Sequence, residues 1–206
     1  FYATGGGQPG DSGTLVLKDG RSIALNTCIK GESEQLVLLP ADGPIESLEA
    51  GAEVEAVLDW GRRFAHMAMH TSLHLLCASI DAGVTGGSIG AEKSRLDFDL
   101  EEAPDKEALE VRLNDLIAGE HDVQASTITA EELDAQPELV RTMSVAPPRD
   151  ASGLIRVVRI GADVDFQPCG GTHVANTREI GRVRVGKIEK KGKQNRRINI
   201  HWEPEA

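Results

Sequence analysis

Histidine recurs at four-residue steps between Arg62 and Ser79, as His66, His70 and His74, and the segment Cys-Gly-Gly-Thr-His repeats the same step with Cys169 and His173. Residues four apart on a helix stand one turn apart on a shared face, so an adjacent histidine pair is half of a metal site. All three histidines cannot serve one ion. Positions eight apart are separated by about 12 Å along the axis, whereas zinc takes imidazole nitrogens at about 2 Å. Spacing alone leaves open which adjacent pair is used. In the second segment Gly170 and Gly171 disfavour regular helix and favour a tight loop, on which thiolate and imidazole can curl toward one point. One sulfur and three nitrogens form a borderline-soft donor set that suits Zn²⁺ better than Mg²⁺ or Ca²⁺. Thr71 directly follows His70, so the glutamate of an HExxH peptidase helix is missing and a zinc peptidase or small-ester hydrolase is disfavoured. The glycine-rich opening, Gly5 to Asp11, lacks the Lys-Ser/Thr of a phosphate loop, and its Pro9-Gly10 pair makes a turn.

The elements that must position these groups are legible from periodicity. From Thr14 to Trp60 short apolar runs alternate with turns, which predicts a meander of strands folded as a small β-barrel. At Trp60 the period changes. Phe64, Met67, Leu73, Leu75 and Leu76 are spaced for a helix over residues 62–79, with no Gly or Pro inside it. A glycine turn around Gly86 and Gly87, a strand near residues 94–100 and a helix from Pro104 to Ile117 follow. Val/Ile-rich strands are expected at 123–128, 154–160, 181–188 and 197–202, and a loop from Gln136 to Asp150. These readings give an α+β chain of two domains: residues 1–60 as the barrel, and 61–206 with helices packed on one antiparallel sheet.

Composition narrows the class further. The 206 residues are 40% hydrophobic and only 3% aromatic, so the core is aliphatic. No apolar run is long enough to span a membrane, and no signal-peptide layout opens the chain, which makes cytoplasm the expected location. Three widely spaced cysteines without a CxxC argue against a disulfide framework. The net charge of -11 is unequally distributed: Arg178 to Arg197 carries nine basic residues against Glu179 and Glu189, an excess of +7 that leaves -18 elsewhere. One attractive face on a repellent body favours a defined docking pose for a polyanion.

The segments GGGQPGD, RRFAHMAMHTSLHLL, CGGTHVANTREIG and KGKQNRRINI together resemble the AlaX proteins, free-standing relatives of the alanyl-tRNA synthetase editing domain. The resemblance spans nearly the whole chain and is closer than that to the threonyl-tRNA synthetase editing domain, which shares the fold and the HxxxH/CxxxH layout. It implies a threonyl/alanyl-tRNA synthetase common domain behind a small N-terminal barrel, with a further strand expected ahead of Phe1. It implies Zn²⁺ held by His70, His74, Cys169 and His173, with His66 a structural neighbour. The implied activity is deacylation of mischarged Ser-tRNA(Ala), with Gly-tRNA(Ala) a further substrate, and the implied partner is the acceptor end of tRNA(Ala). Residues Arg178 to Arg197 are the candidate RNA-facing surface. Thr71, beside His70, and Gln8, in the opening turn, are the candidates for reading the serine hydroxyl. A non-catalytic, zinc-stabilised tRNA-binding module, or the editing fragment of an alanyl-tRNA synthetase, is the alternative.

Overall fold

A computed structural model of the chain describes residues 1–32, 35–42, 48–143, 146–147 and 149–203. Strands β1 (Gly13–Leu17), β2 (Ser22–Lys30), β3 (Leu36–Pro40) and β4 (Val54–Leu58) form one antiparallel sheet in the order β3-β2-β1-β4. Among the described residues β3 and β4 do not pair, so the expected barrel is not closed. The strands explain why. Leu15, Leu25 and Cys28 are their buried apolar side chains, while Leu36, Val37 and Leu39 are exposed, too few inward groups to fill a closed interior.

Helix α1 (Trp60–Ser79) begins where Asp59 Oδ1 accepts the Arg62 amide at 3.1 Å, a side-chain cap on an otherwise open first turn. Every residue from Ala68 to Cys77 is buried, so this helix runs through the protein and not over its surface. The carbonyls at and just beyond its C-terminus are gathered by one side chain: Arg141 Nη2 donates to those of Cys77, Ile80 and Ala82 at 3.3, 2.7 and 3.3 Å.

Two further antiparallel sheets enclose α1. The first joins β5 (Val84–Ser88), β6 (Lys93–Phe98), β10 (Arg182–Gly192) and β11 (Asn195–Glu203) in the order β10-β11-β6-β5. The second joins β7 (Val123–Ile128), β8 (Ile155–Ile160) and β9 (Asp165–Pro168). Helix α2 (Lys106–Ala118) packs on β10 and α1, and a short helix α3 (Ala130–Asp134) follows β7 behind a Thr129/Glu132 capping box. The main core combines Met69, Leu75 and Leu76 of α1 with Leu113 of α2 and Phe98, Val185, Ile198 and Ile200 of the four-stranded sheet.

The chain is α+β, as its periodicity indicates, but the helices meet two sheets instead of one. Gly86 and Gly87, read from sequence as a turn, lie within β5, opposite Asp97 and Leu96. Glycine suits that edge because a Cβ on Gly87 would press on the Leu96 side chain. The described part of residues 136–150 is more than a loop: Pro137–Leu139 make a helical turn, Leu139 is buried, and Thr142 bridges to Val84. Among the described residues no helix is long and apolar enough to cross a membrane.

Candidate metal centre

The four-residue step on α1 places the rings of His70 and His74 5.3 Å apart, and the loop after β9 brings His173 to 4.3 Å from the first and 4.7 Å from the second. Cys169 Sγ lies 3.2 Å from His173 Nε2 and 3.5 Å from His70 Nε2. The donor atoms of His70, His74, Cys169 and His173 all fall within 4.8 Å of one another. His66, one turn earlier, is buried outside this group, and its Nδ1 has no hydrogen-bond partner among the described residues. Gly171 is required where the loop passes beneath α1, because a Cβ there would overlap the His70 ring and crowd the Gln8 amide.

Each imidazole is held from behind by an oxygen. His70 Nδ1 donates to Gln8 Oε1 at 2.9 Å, His173 Nδ1 to Thr71 Oγ1 at 3.1 Å and His74 Nδ1 to Asp165 Oδ2 at 2.7 Å. The remaining hydrogen bonds fix these directions. Thr71 donates its only hydroxyl proton to the Met67 carbonyl at 2.9 Å, so toward His173 it accepts. Gln8 Nε2 donates to Thr172 Oγ1 at 2.7 Å while its Oε1 also takes the Thr172 amide at 3.0 Å, which orients the amide with oxygen toward His70. With Nδ1 protonated on all three rings, the Nε2 lone pairs are free, the state in which neutral histidine binds a metal. Three such nitrogens beside one thiolate fit a thiophilic divalent ion in both chemistry and number.

The four side chains also shift one another's ionisation. Burial opposes ionisation of Cys169, but the neighbouring His70 and His74 and the hydrogen-bonding contacts with His173 and His70 hold its thiol far below the ordinary value. Burial would also lower His74, yet the Cys169 charge and Asp165 push it up to about 10. His173 is pushed down to about 3 by burial and by the charge of His70.

Thr71 and Gln8, the sequence candidates for substrate recognition, are both fully buried, and their polar atoms face the histidines. Asp165 and Gln167 were not read from sequence. Their signal is the period-two run Asp-Phe-Gln-Pro-Cys, which sets Asp165, Gln167 and Cys169 on one side of β9 and its extension. Gln167 Nε2 donates to both Asp165 oxygens, at 3.1 and 3.0 Å.

A cavity of about 620 Å³ opens beside the centre, lined by His70, His74, Cys169 and Gln167 and by apolar groups including Leu73 and Val84. The glycine-rich turn, Gly5 to Gly7, forms part of its rim and is tied to β5 by the Ile89 amide donating to the Gly7 carbonyl at 2.9 Å. Of the basic residues between Arg178 and Arg197, Arg178, Arg182, Arg184, Lys191 and Arg197 pair with acidic side chains. Arg196 is buried and caps hairpin carbonyls. Lys187, Lys190 and Lys193 are exposed, with no ion pair among the described residues.

Residues 155–199 match the family model described as the threonyl and alanyl tRNA synthetase second additional domain. The chain is 33% identical over 208 residues to the alanyl-tRNA editing protein AlaX-M of Methanosarcina mazei, covering 96% of this chain and 82% of that protein. It is 37% identical over 206 residues to AlaX-M of Methanosarcina barkeri, with 96% and 84% covered. To AlaX-M of Saccharolobus solfataricus it is 32% identical over 209 residues, with 99% and 86% covered.

Proposed function

Because the chain belongs to the free-standing AlaX family of alanyl-tRNA editing proteins, we propose that it is a trans-acting deacylase. Its preferred substrate is Ser-tRNA(Ala), with Gly-tRNA(Ala) also cleaved. The observation that carries this reading is the set of four converging donors, each imidazole backed by its own oxygen, at the wall of a cavity of small-molecule size. In this reading His70, His74, Cys169 and His173 hold Zn²⁺. A zinc ion so held supplies Lewis acidity and lowers the pKa of a bound water. Gln8, Thr71 and Asp165 keep the three Nε2 atoms aimed at the donor centre. The apolar wall excludes bulk water, and the bond broken joins the amino acid's carbonyl carbon to the terminal ribose oxygen. Residues 1–60 and 61–206 are proposed as two units, the first contributing Gln8. Lys187, Lys190 and Lys193, with the weakly held surface pairs around them, are the cations of the Arg178–Arg197 segment left for RNA phosphates.

Thr71 is a positioning residue in this scheme, acting on selectivity through the His173 ring. Thr71→Val is expected to lower the ratio of serine to alanine release about tenfold, the size of one lost neutral hydrogen bond. An unchanged ratio in a deacylation assay removes Thr71 from the recognition apparatus.

One observation favours a second reading. Four protein donors close a tetrahedral shell, the usual arrangement of a structural zinc, which would make the protein an RNA-binding module. Deacylation of Ser-, Gly- and Ala-charged tRNA(Ala), with and without a chelator, separates the two. We expect release of serine and glycine, little of alanine, and loss of activity on chelation. RNA binding with no release of any amino acid favours the module.

A further inference from the structure

Beside His74 and Cys169 the cavity wall carries a polar side chain, Gln167, whose amide the centre uses only in part. Both oxygens of Asp165 are taken up: Oδ2 accepts His74 Nδ1 at 2.7 Å, and both accept Gln167 Nε2 at 3.0–3.1 Å. The Gln167 amide is therefore oriented with nitrogen toward the carboxylate, because the opposite flip would set oxygen against oxygen. That leaves Oε1 facing away from Asp165 as an acceptor, and among the described residues no N–H or O–H group donates to it. Gln167 is 6% exposed, and what it exposes lines the cavity beside His74 and Cys169. Oε1 is not among the buried polar atoms sealed off without a partner. Of the cavity's other polar groups, the Tyr2 hydroxyl donates to the Gly5 carbonyl at 3.0 Å and Arg141 Nη2 to the carbonyls of Cys77, Ile80 and Ala82, while the Cys77 thiol, in hydrogen-bonding contact with Gln167, is a weak donor.

We propose that Gln167 is a specificity-determining residue, whose side-chain oxygen accepts the hydroxyl proton of a seryl group bound in this cavity. This rests on the editing function proposed above and supplies what Thr71 and Gln8 do not, a free polar atom on the substrate side. The chemistry discriminates in one direction. A seryl hydroxyl has a proton to give, whereas an alanyl methyl would cover the carbonyl oxygen and leave it unpaired out of water, the circumstance in which a site rejects the analogue that lacks a hydrogen-bonding group. The same amide holds Asp165, so the residue that reads the substrate also steadies a partner of His74.

The test uses non-hydrolysable 3′-amido-3′-deoxyadenosines carrying seryl, 2-aminobutyryl or alanyl groups, bound to the zinc-loaded full chain and followed by calorimetry. The 2-aminobutyryl probe replaces the hydroxyl by a methyl at nearly constant volume. The wild-type protein should bind the seryl probe about 10- to 100-fold more tightly than the 2-aminobutyryl probe, and Gln167→Met should bring the two within about threefold while keeping one zinc per chain. Equal binding of the two probes by the wild-type protein overturns the proposal without recourse to any variant. A Gln167→Met protein that keeps both its zinc and the wild-type preference overturns it as well. Absence of tRNA deacylation by the wild-type protein sinks the editing function instead, a result distinguishable from either.

Discussion

Cys169→Ala should abolish metal retention and lower deacylation of Ser-tRNA(Ala) by about 10³-fold, the loss of several kcal/mol of electrophilic assistance at about 1.4 kcal/mol per tenfold. Cys169 is the sole sulfur among the four donors and the atom on which His70 and His173 converge, at 3.5 and 3.2 Å. Removing it leaves three imidazole donors and no thiolate to hold a divalent ion. Because alanine is smaller and apolar, the loop after β9 still folds, and circular dichroism should match wild type. Zinc analysis of the purified variant alongside single-turnover deacylation checks the expectation. A variant that keeps its metal and cleaves within tenfold of wild type would show that Cys169 is dispensable and that the centre was misassigned.

Asp11→Ala should destabilise the fold by about 3 kcal/mol, the lower end of what breaking a buried ion pair costs, lowering the melting temperature by about 6–12 °C. The Asp11 side chain is 1% exposed and holds Arg63 of α1 through a forked pair in which Arg63 Nε lies 2.8 Å from Oδ1 and Nη2 meets Oδ2. The Tyr2 amide donates to the same carboxylate. Alanine would strand the guanidinium, itself only 18% exposed, against α1 without a counterion. Burial opposes ionisation of Asp11, but the hydrogen bonds from Arg63 and the Tyr2 amide outweigh it and hold the carboxyl below its ordinary 3.8. A group depressed in this way contributes its full stabilisation above the unfolded-state value and loses it as pH falls through the folded one. The wild-type and variant melting curves should therefore lie furthest apart above pH 4 and approach each other under more acid conditions. A constant gap down to pH 2 would mean that the pair is not the source of the stability.

Much of the centre could be read from sequence because local periodicity carries it. Four-residue spacing on a helix with no glycine or proline fixes His70 and His74 to one face, and Gly170-Gly171 announces the loop on which Cys169 and His173 turn back. The choice against His66 came from family resemblance, since spacing treats the three histidines alike; in the fold the loop after β9 meets α1 at His70 and His74. What escaped was non-local. Asp165 and Gln167 lie on β9, a strand of four residues ended by a proline, too short for alternation to stand out from its surroundings. Thr71 and Gln8 drew notice as polar groups near the centre, but whether such a group faces a cavity or a ligand's far nitrogen depends on contacts spanning 102 and 62 residues. The open first sheet has a similar cause: its strands were visible, but closure depends on inward volume, which the exposed Leu36, Val37 and Leu39 do not provide.

Gln8 and Thr172, joined side chain to side chain, are 164 residues apart, so two distant segments of the polypeptide meet at the histidines. A chain emerging from the ribosome at about 5–20 residues per second needs roughly 8–33 s between the appearance of one partner and the other. Throughout that interval β1 to β4 and α1 can form, yet His70 lacks both its neighbouring sulfur and the clasp that orients Gln8. The donor set is therefore completed late in synthesis, and a nascent chain that ends before Cys169 lacks two of its four donors.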